Sequence, residues 1–129
     1  MSKTVHQEIV FAAAPERIYD AYMDSRKHSQ FTANGDANIS REAGGEFSAH
    51  GGAILGRNVE LVPNRRIVQA WRVADWDEGV YSMVRIELKP EGSGTRLVLD
   101  HAALPEGAED HIDGGWHERY WDPLKKYLG

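Results

Sequence analysis

The sequence contains no cysteine. Disulfides, thiolate nucleophiles and cysteine-based zinc sites are therefore excluded. It lacks any apolar run near the ~20 residues needed to span a bilayer. Met1 to Ile9 carries charges where a signal peptide would have an apolar core. A cytoplasmic location with no membrane attachment is the expectation. Basic residues are in deficit, 15 Lys and Arg against 20 Asp and Glu, for a net charge of −5. No Lys/Arg-rich face appears at any spacing, so no nucleic-acid partner is expected. There is no Gly-x-Ser-x-Gly elbow, no phosphate-binding loop and no His-Glu-x-x-His pair, and no cofactor or metal is expected. Repeats, linkers and low-complexity segments are also missing.

What is present is an ordinary globular composition, 41% apolar and 27% charged over 129 residues. That length suits one domain covering 1–129. Thr4 to Phe11 alternates loosely and predicts a strand, stopped by Ala13-Ala14-Pro15. Pro15 suits a first helical position, with Ile18, Ala21 and Tyr22 at helical spacing behind it. Asp24 offers a capping oxygen for a second short helix ending near Phe31.

From Asn34 the text becomes strands punctuated by turns. Ala37 to Arg41, Glu46 to His50, Ile54 to Val62, Arg66 to Val73, Val80 to Lys89 and Thr95 to His101 read as six strands of an antiparallel meander. The last segment, Glu106 to Leu128, predicts a long helix. Ile112, Trp116, Tyr120, Leu124 and Leu128 form an apolar stripe, acids crowd its start, and Lys125-Lys126 its end. Pro123 should bend it, and Gly114-Gly115 marks a second weak point. The order β-α-α-β6-α implies an α+β fold. Its seven-stranded antiparallel sheet would be covered on one face by the long helix.

Strand alternation assigns the covered face. It collects Leu97, Leu99 and His101 from the last strand and Ser82, Val84, Ile86 and Leu88 from the one before. Ile67, Gln69 and Trp71 follow, with Val59, Leu61 and Phe47 further along. Trp116 and Tyr120 of the helix face them. One reading is a ligand pocket built from Phe47, Gln69, Trp71, Ser82, Val84, His101, Trp116 and Tyr120, taking a small apolar or aromatic molecule. The other is a plain core in which the aromatics fill volume.

Candidate chemistry is sparse, and the residues favour binding over catalysis. His111, Asp113 and His117 lie close in sequence, but their spacing leaves His111 off the face the other two share. Asp100 and His101 are neighbours on a strand and point to opposite faces, so they cannot act as an acid–base pair. Glu46 and Glu60 alternate outward. A small cyclase or hydratase would have only His101 inside. Trp76, in the polar loop Asp75 to Gly79, reads either as a partner anchor or as a ring folded back on the sheet.

The ordered stretches Gly44-Gly45-Glu46-Phe47, Gly51-Gly52, Val59 to Pro63, Ile67-Val68, Trp71-Arg72, Trp76 with Glu78-Gly79, Thr95-Arg96-Leu97, Leu104-Pro105 and Gly115-Trp116 through Tyr120 carry a resemblance over nearly the whole chain. It resembles the C-terminal domain of the heat-shock protein 90 ATPase activators, within the START-like (polyketide cyclase/dehydrase-like) superfamily. That resemblance implies the helix-grip fold and a heat-shock protein 90 family chaperone as partner. The eukaryotic activators look like two-domain co-chaperones, and the chain matches only their second domain. Exposed sheet edges are compatible with a homodimer.

Overall fold

The computed structural model describes residues 4–129. Strand β1 (Val5–Phe11) leads through Pro15 into helices α1 (Pro15–Met23) and α2 (Ser25–Thr32). Six strands follow: β2 (Asn38–Ile39), β3 (Glu46–Ala49), β4 (Ile54–Val62), β5 (Arg66–Val73), β6 (Ser82–Glu91) and β7 (Gly94–Ala102). They form a seven-stranded antiparallel sheet in the order β1-β7-β6-β5-β4-β3-β2. The chain ends in α3 (Glu109–Trp116), a wide π turn (His117–Trp121) and α4 (Asp122–Leu128). This is the helix-grip arrangement that the resemblance implies, and it agrees with the expected element order.

Local chemistry accounts for the first helices. Pro15 sits in the opening turn of α1, where a missing N–H costs nothing. Asp24 ends α1 and caps α2, its side chain accepting from the Lys27 N–H at 2.9 Å, a cap typically worth about 1 kcal/mol. Alternation then sets the sheet's two faces. Leu97, Leu99 and His101 on β7, with Val84, Ile86 and Leu88 on β6, are all buried beneath the helices. Val84 is opposite Gln69 on one side and His101 on the other, at the centre of this face.

The structure corrects several expectations. Strand β2 is reduced to Asn38–Ile39. Strand β6 continues through Pro90 to Glu91, because its pairing with β5 ends at Glu87 and the ladder there makes no demand on a proline N–H. Val59 points outward and is 53% exposed, because a bulge between Asn58 and Glu60 reverses the alternation. Asn58 takes the inward place instead.

The terminal helix begins at Glu109 rather than Glu106, after Gly107 adopts a left-handed φ of +84°, and it runs unbroken through Gly114-Gly115. A strict four-residue stripe drifts by about 40° per step round an α-helix. The π turn absorbs that drift and brings both Tyr120 and Trp121 inward. Pro123 lies just beyond, so the widened turn falls where its missing N–H would have bonded. Trp121 stacks on Trp116, with centroids 5.2 Å apart and planes at 14°, and its indole N–H donates to Gln7 Oε1 at 2.7 Å. Gln7 in turn donates to the Asp113 carboxylate at 2.7 Å, fastening β1 to α3.

Candidate functional site

Four of the expected pocket residues, Trp116, His101, Ser82 and Trp71, meet in one relay. Trp116 Nε1–H donates to His101 Nδ1 at 3.0 Å. His101 must then carry its proton on Nε2, which lies 2.7 Å from Ser82 Oγ. The Ser82 hydroxyl passes its own hydrogen to the Trp71 carbonyl at 2.8 Å. Burial pushes the His101 pKa down to about 3, so the ring is neutral near pH 7. Neither ring nitrogen has a lone pair or hydrogen left for a ligand.

Gln69 is equally committed. Tyr22 donates its hydroxyl to Gln69 Oε1 at 3.1 Å, and Gln69 Nε2 donates to Asn58 Oδ1 at 3.1 Å. Asn58 Nδ2 then donates to the carbonyls of Ser40 and Glu42. Phe47 packs across Gly56, where an added Cβ would fall 2.4 Å from the Phe47 ring and 2.1 Å from the Ala70 carbonyl. Phe47, Gln69, Ser82, Val84 and His101 therefore belong to the packed interior. Of the eight residues expected in a pocket, only Trp71, Trp116 and Tyr120 reach an open cleft.

That cleft has a volume of about 470 Å³. It opens between α3, the His50–Gly52 turn and the adjoining ends of β4 and β5. Ile54, Trp71, Val73, Ile112 and Trp116 give it an apolar floor. Asn34, His50 and Tyr120 form one wall, and His111, Glu118 and Arg119 lie along the rim with Asp110.

A second relay runs from this wall into the core. His28 Nδ1 lies 2.8 Å from the Tyr22 carbonyl and can only donate to it. His28 Nε2 must then accept from the Tyr120 hydroxyl at 3.1 Å. The Tyr120 oxygen accepts in turn from His50 Nε2–H at 3.0 Å, leaving His50 Nδ1 to accept from Asn34 Nδ2–H at 3.1 Å. One direction satisfies every group. Burial lowers the His28 pKa to about 4. His50 is half-buried and also lowered, by burial first and by the Arg119 charge second. Two left-handed positions shape this wall: His50 itself, at φ +53°, and Gly35, at φ +95°. A Cβ on Gly35 would lie 2.6 Å from the Gly51 nitrogen, so glycine lets the Asn34 loop rest on the His50 turn.

His28 and His50 were not among the expected site residues. The available signals were His28 three positions before Phe31 on one helical face, and His50 directly before Gly51-Gly52. Elsewhere, Asp113 accepts from Gln7 and Asp100 bonds to exposed His6 and Arg85. Trp76 folds back edge-on against Trp71 at 5.8 Å, its loop tied down by the Arg72 guanidinium donating to the carbonyls of Trp76 and Asp77.

Comparison with known proteins adds an identity to this geometry. The family model described as "Activator of Hsp90 ATPase homolog 1-like protein" matches residues 12–129. The Dictyostelium discoideum "Activator of 90 kDa heat shock protein ATPase homolog" is 32% identical over 125 residues, covering 96% of this chain and 32% of that protein. The human homologue 1 is 26% identical, covering 92% and 35%. The chain thus spans about a third of the length of these relatives. A crystal structure of an HSP90 activator from Plasmodium falciparum is similar throughout, with TM-score 0.90, 27% identity, and coverage of 100% of this chain and 96% of that one. An Aha1 dimer from Colwellia psychrerythraea shares the fold at TM-score 0.76 and 18% identity, covering 89% and 88%.

Proposed function

The chain belongs to the activator of Hsp90 ATPase homologue 1-like family, and from that premise we propose that it is a non-catalytic binding module acting on a chaperone of the 90 kDa heat-shock class. The observation that carries this reading is its likeness over its full length to the Plasmodium falciparum HSP90 activator. The interior supports binding over catalysis. Among the described residues no Asp or Glu is buried as a whole, although Glu109 buries a carboxylate oxygen, and the two fully buried histidines are neutral with both nitrogens occupied. General acid–base chemistry needs a group free to exchange its proton with a substrate. The test is titration of the purified chain against its host's own 90 kDa chaperone, with ATPase rate as the second readout. Saturable binding with a raised rate is expected, and no binding at about 100 μM overturns the reading.

The open cleft favours a second reading, a small ligand held beside Trp71, Trp116 and Tyr120. Its volume lies within the range of about 300–1,000 Å³ usual for ligand sites. The ligand would enter from the cleft, since the space deeper between sheet and helix is packed. Native mass spectrometry of protein purified from its host checks this. Self-association is a separate reading, supported by the relative solved as a dimer. Sedimentation velocity over a range of concentrations checks it.

A further inference from the structure

We infer that the cleft takes a compact, uncharged apolar molecule that lies against Gly114-Gly115 and offers an oxygen acceptor to the Trp71 indole N–H. This rests on the reading of the cleft as a ligand site and names the chemistry that would select the ligand.

The glycine pair sets where the molecule lies. Gly114 and Gly115 are inside α3 and line the cleft. Neither has a positive φ, and a Cβ added to either would meet nothing within 4 Å. Glycine costs a helix interior stability relative to alanine, because it surrenders more backbone freedom on folding. Gly35 and Gly56 answer to close contacts with neighbouring backbone, but nothing inside the chain calls for glycine at 114 or 115. What the two missing methyl groups leave is room along the helix backbone on the cleft wall.

Trp71 sets the polar contact. Its ring lines the same cleft and is 4% exposed. Its Nε1–H is sealed from solvent and has no acceptor among the described residues, standing outside both histidine relays. A buried donor left unpaired is rare in a folded protein and costs stability until an acceptor reaches it. An oxygen delivered through the cleft supplies that acceptor.

Packing sets the shape and the charge. Trp71 meets His101 and Trp76 in edge contacts and Trp116 at a tilt, while Trp116 is covered by Trp121 and Tyr120. The ring faces are thus occupied, and the molecule meets Trp71 at its N–H rather than by stacking. Ile54, Val73 and Ile112 give it apolar contact, whereas Asp110, Glu118 and Arg119 are exposed on the rim. An ion brought against that wall would lose hydration with no buried countercharge to replace it. A neutral oxygen, as in a ketone, ester or ether, is the acceptor that fits.

The experiment compares norcamphor with 2-methylenenorbornane, two cage molecules of nearly one shape in which C=O replaces C=CH2. Binding to the intact chain is followed by NMR of its four indole N–H groups. Norcamphor should bind about tenfold tighter than the alkene, and it should move the Trp71 indole signal downfield and slow its exchange. Trp71→Phe, which deletes the N–H and keeps an aromatic ring, should erase the gap. Gly115→Leu places a good helix former in the cleft, so it should weaken both probes at least tenfold without lowering the urea midpoint. Equal binding of the two probes, or bound norcamphor with an unmoved Trp71 signal, overturns the acceptor claim and leaves the cleft as a ligand site. Both readouts come from the parent chain and stand even if Trp71→Phe fails to fold. A gap that survives Trp71→Phe overturns the claim as well, and unchanged binding to Gly115→Leu shows that the molecule lies elsewhere. If neither probe binds at about 1 mM, the ligand reading itself falls and this inference with it.

Discussion

The two histidine relays use the same residue types at different depths. In the first, His101 joins Trp116 to Ser82 and the Trp71 carbonyl, wholly inside the interface of sheet and helix. In the second, His28, Tyr120 and His50 run from the core to the cleft wall and end on an exposed amide. A buried polar group is costly unless paired, so a closed relay specifies one packing and leaves nothing to offer. The second relay has an end that can exchange its partner. Ligand chemistry is to be sought where a network reaches water, rather than where it is most buried.

The largest expected effect is acid destabilisation. His101 and His28 have folded pKa values of about 3 and about 4 against an ordinary 6.5. The unfolded chain therefore binds more protons between those values and 6.5. Stability is complete above pH 6.5 and falls as pH drops through that window. Between pH 7 and pH 4 each histidine costs on the order of 3 kcal/mol, a large share of the ~5–15 kcal/mol typical of a domain. Urea unfolding at several pH values measures the slope. A flat profile across pH 7 to 4 contradicts the neutral, sealed state of both rings.

Next comes Trp116→Ala. It removes a ring that stacks on Trp121 and leans on Tyr120, and it strips His101 Nδ1 of its donor. A loss of about 3–5 kcal/mol is expected. Trp116→Phe keeps much of the volume but still orphans the nitrogen, so about 1–3 kcal/mol should remain lost. If the Phe variant matches the parent in denaturant unfolding, the relay contributes nothing to stability. A smaller effect, about 1–3 kcal/mol, is expected for Asn58→Ala. That asparagine bridges Gln69 to two carbonyls at the bulge.

The same contrast explains what could be read from residues alone. The inner face of β6 and β7 was legible because Val84, Ile86, Leu97 and Leu99 repeat with period two on a face that must be buried. The terminal stripe was legible for the matching helical reason. Val59 was misassigned because a bulge shifts parity without a sequence mark, and Asn58 looks like a turn residue until its partners are known. His101 was correctly placed inward, yet its partners on Ser82 and Trp116 turn it from a candidate contact into a sealed one. His28 and His50 went unseen because Tyr120 joins them across 92 and 70 residues of chain. No local pattern carries that meeting.

The finest cut lies between two neighbours on β7. Asp100 faces out, its carboxylate bonded to His6 Nδ1 at 2.6 Å and to Arg85 at 2.8 Å, while His101 faces in. The Asp100 hydrogen bond is the main reason the His6 pKa is raised from 6.5. His6 therefore stabilises the fold below pH 6.5, and that contribution fades as pH rises through its folded value, the opposite sign to His101. Asp100→Asn breaks both outer pairs, yet exposed ion pairs are worth little, and a loss under about 1 kcal/mol is expected. In an NMR titration the His6 ring should return toward its ordinary value while His101 stays neutral and unmoved. A loss of several kcal/mol, or a shifted His101, would show that the solvated face and the sealed one are coupled through the strand and would erase the distinction between them.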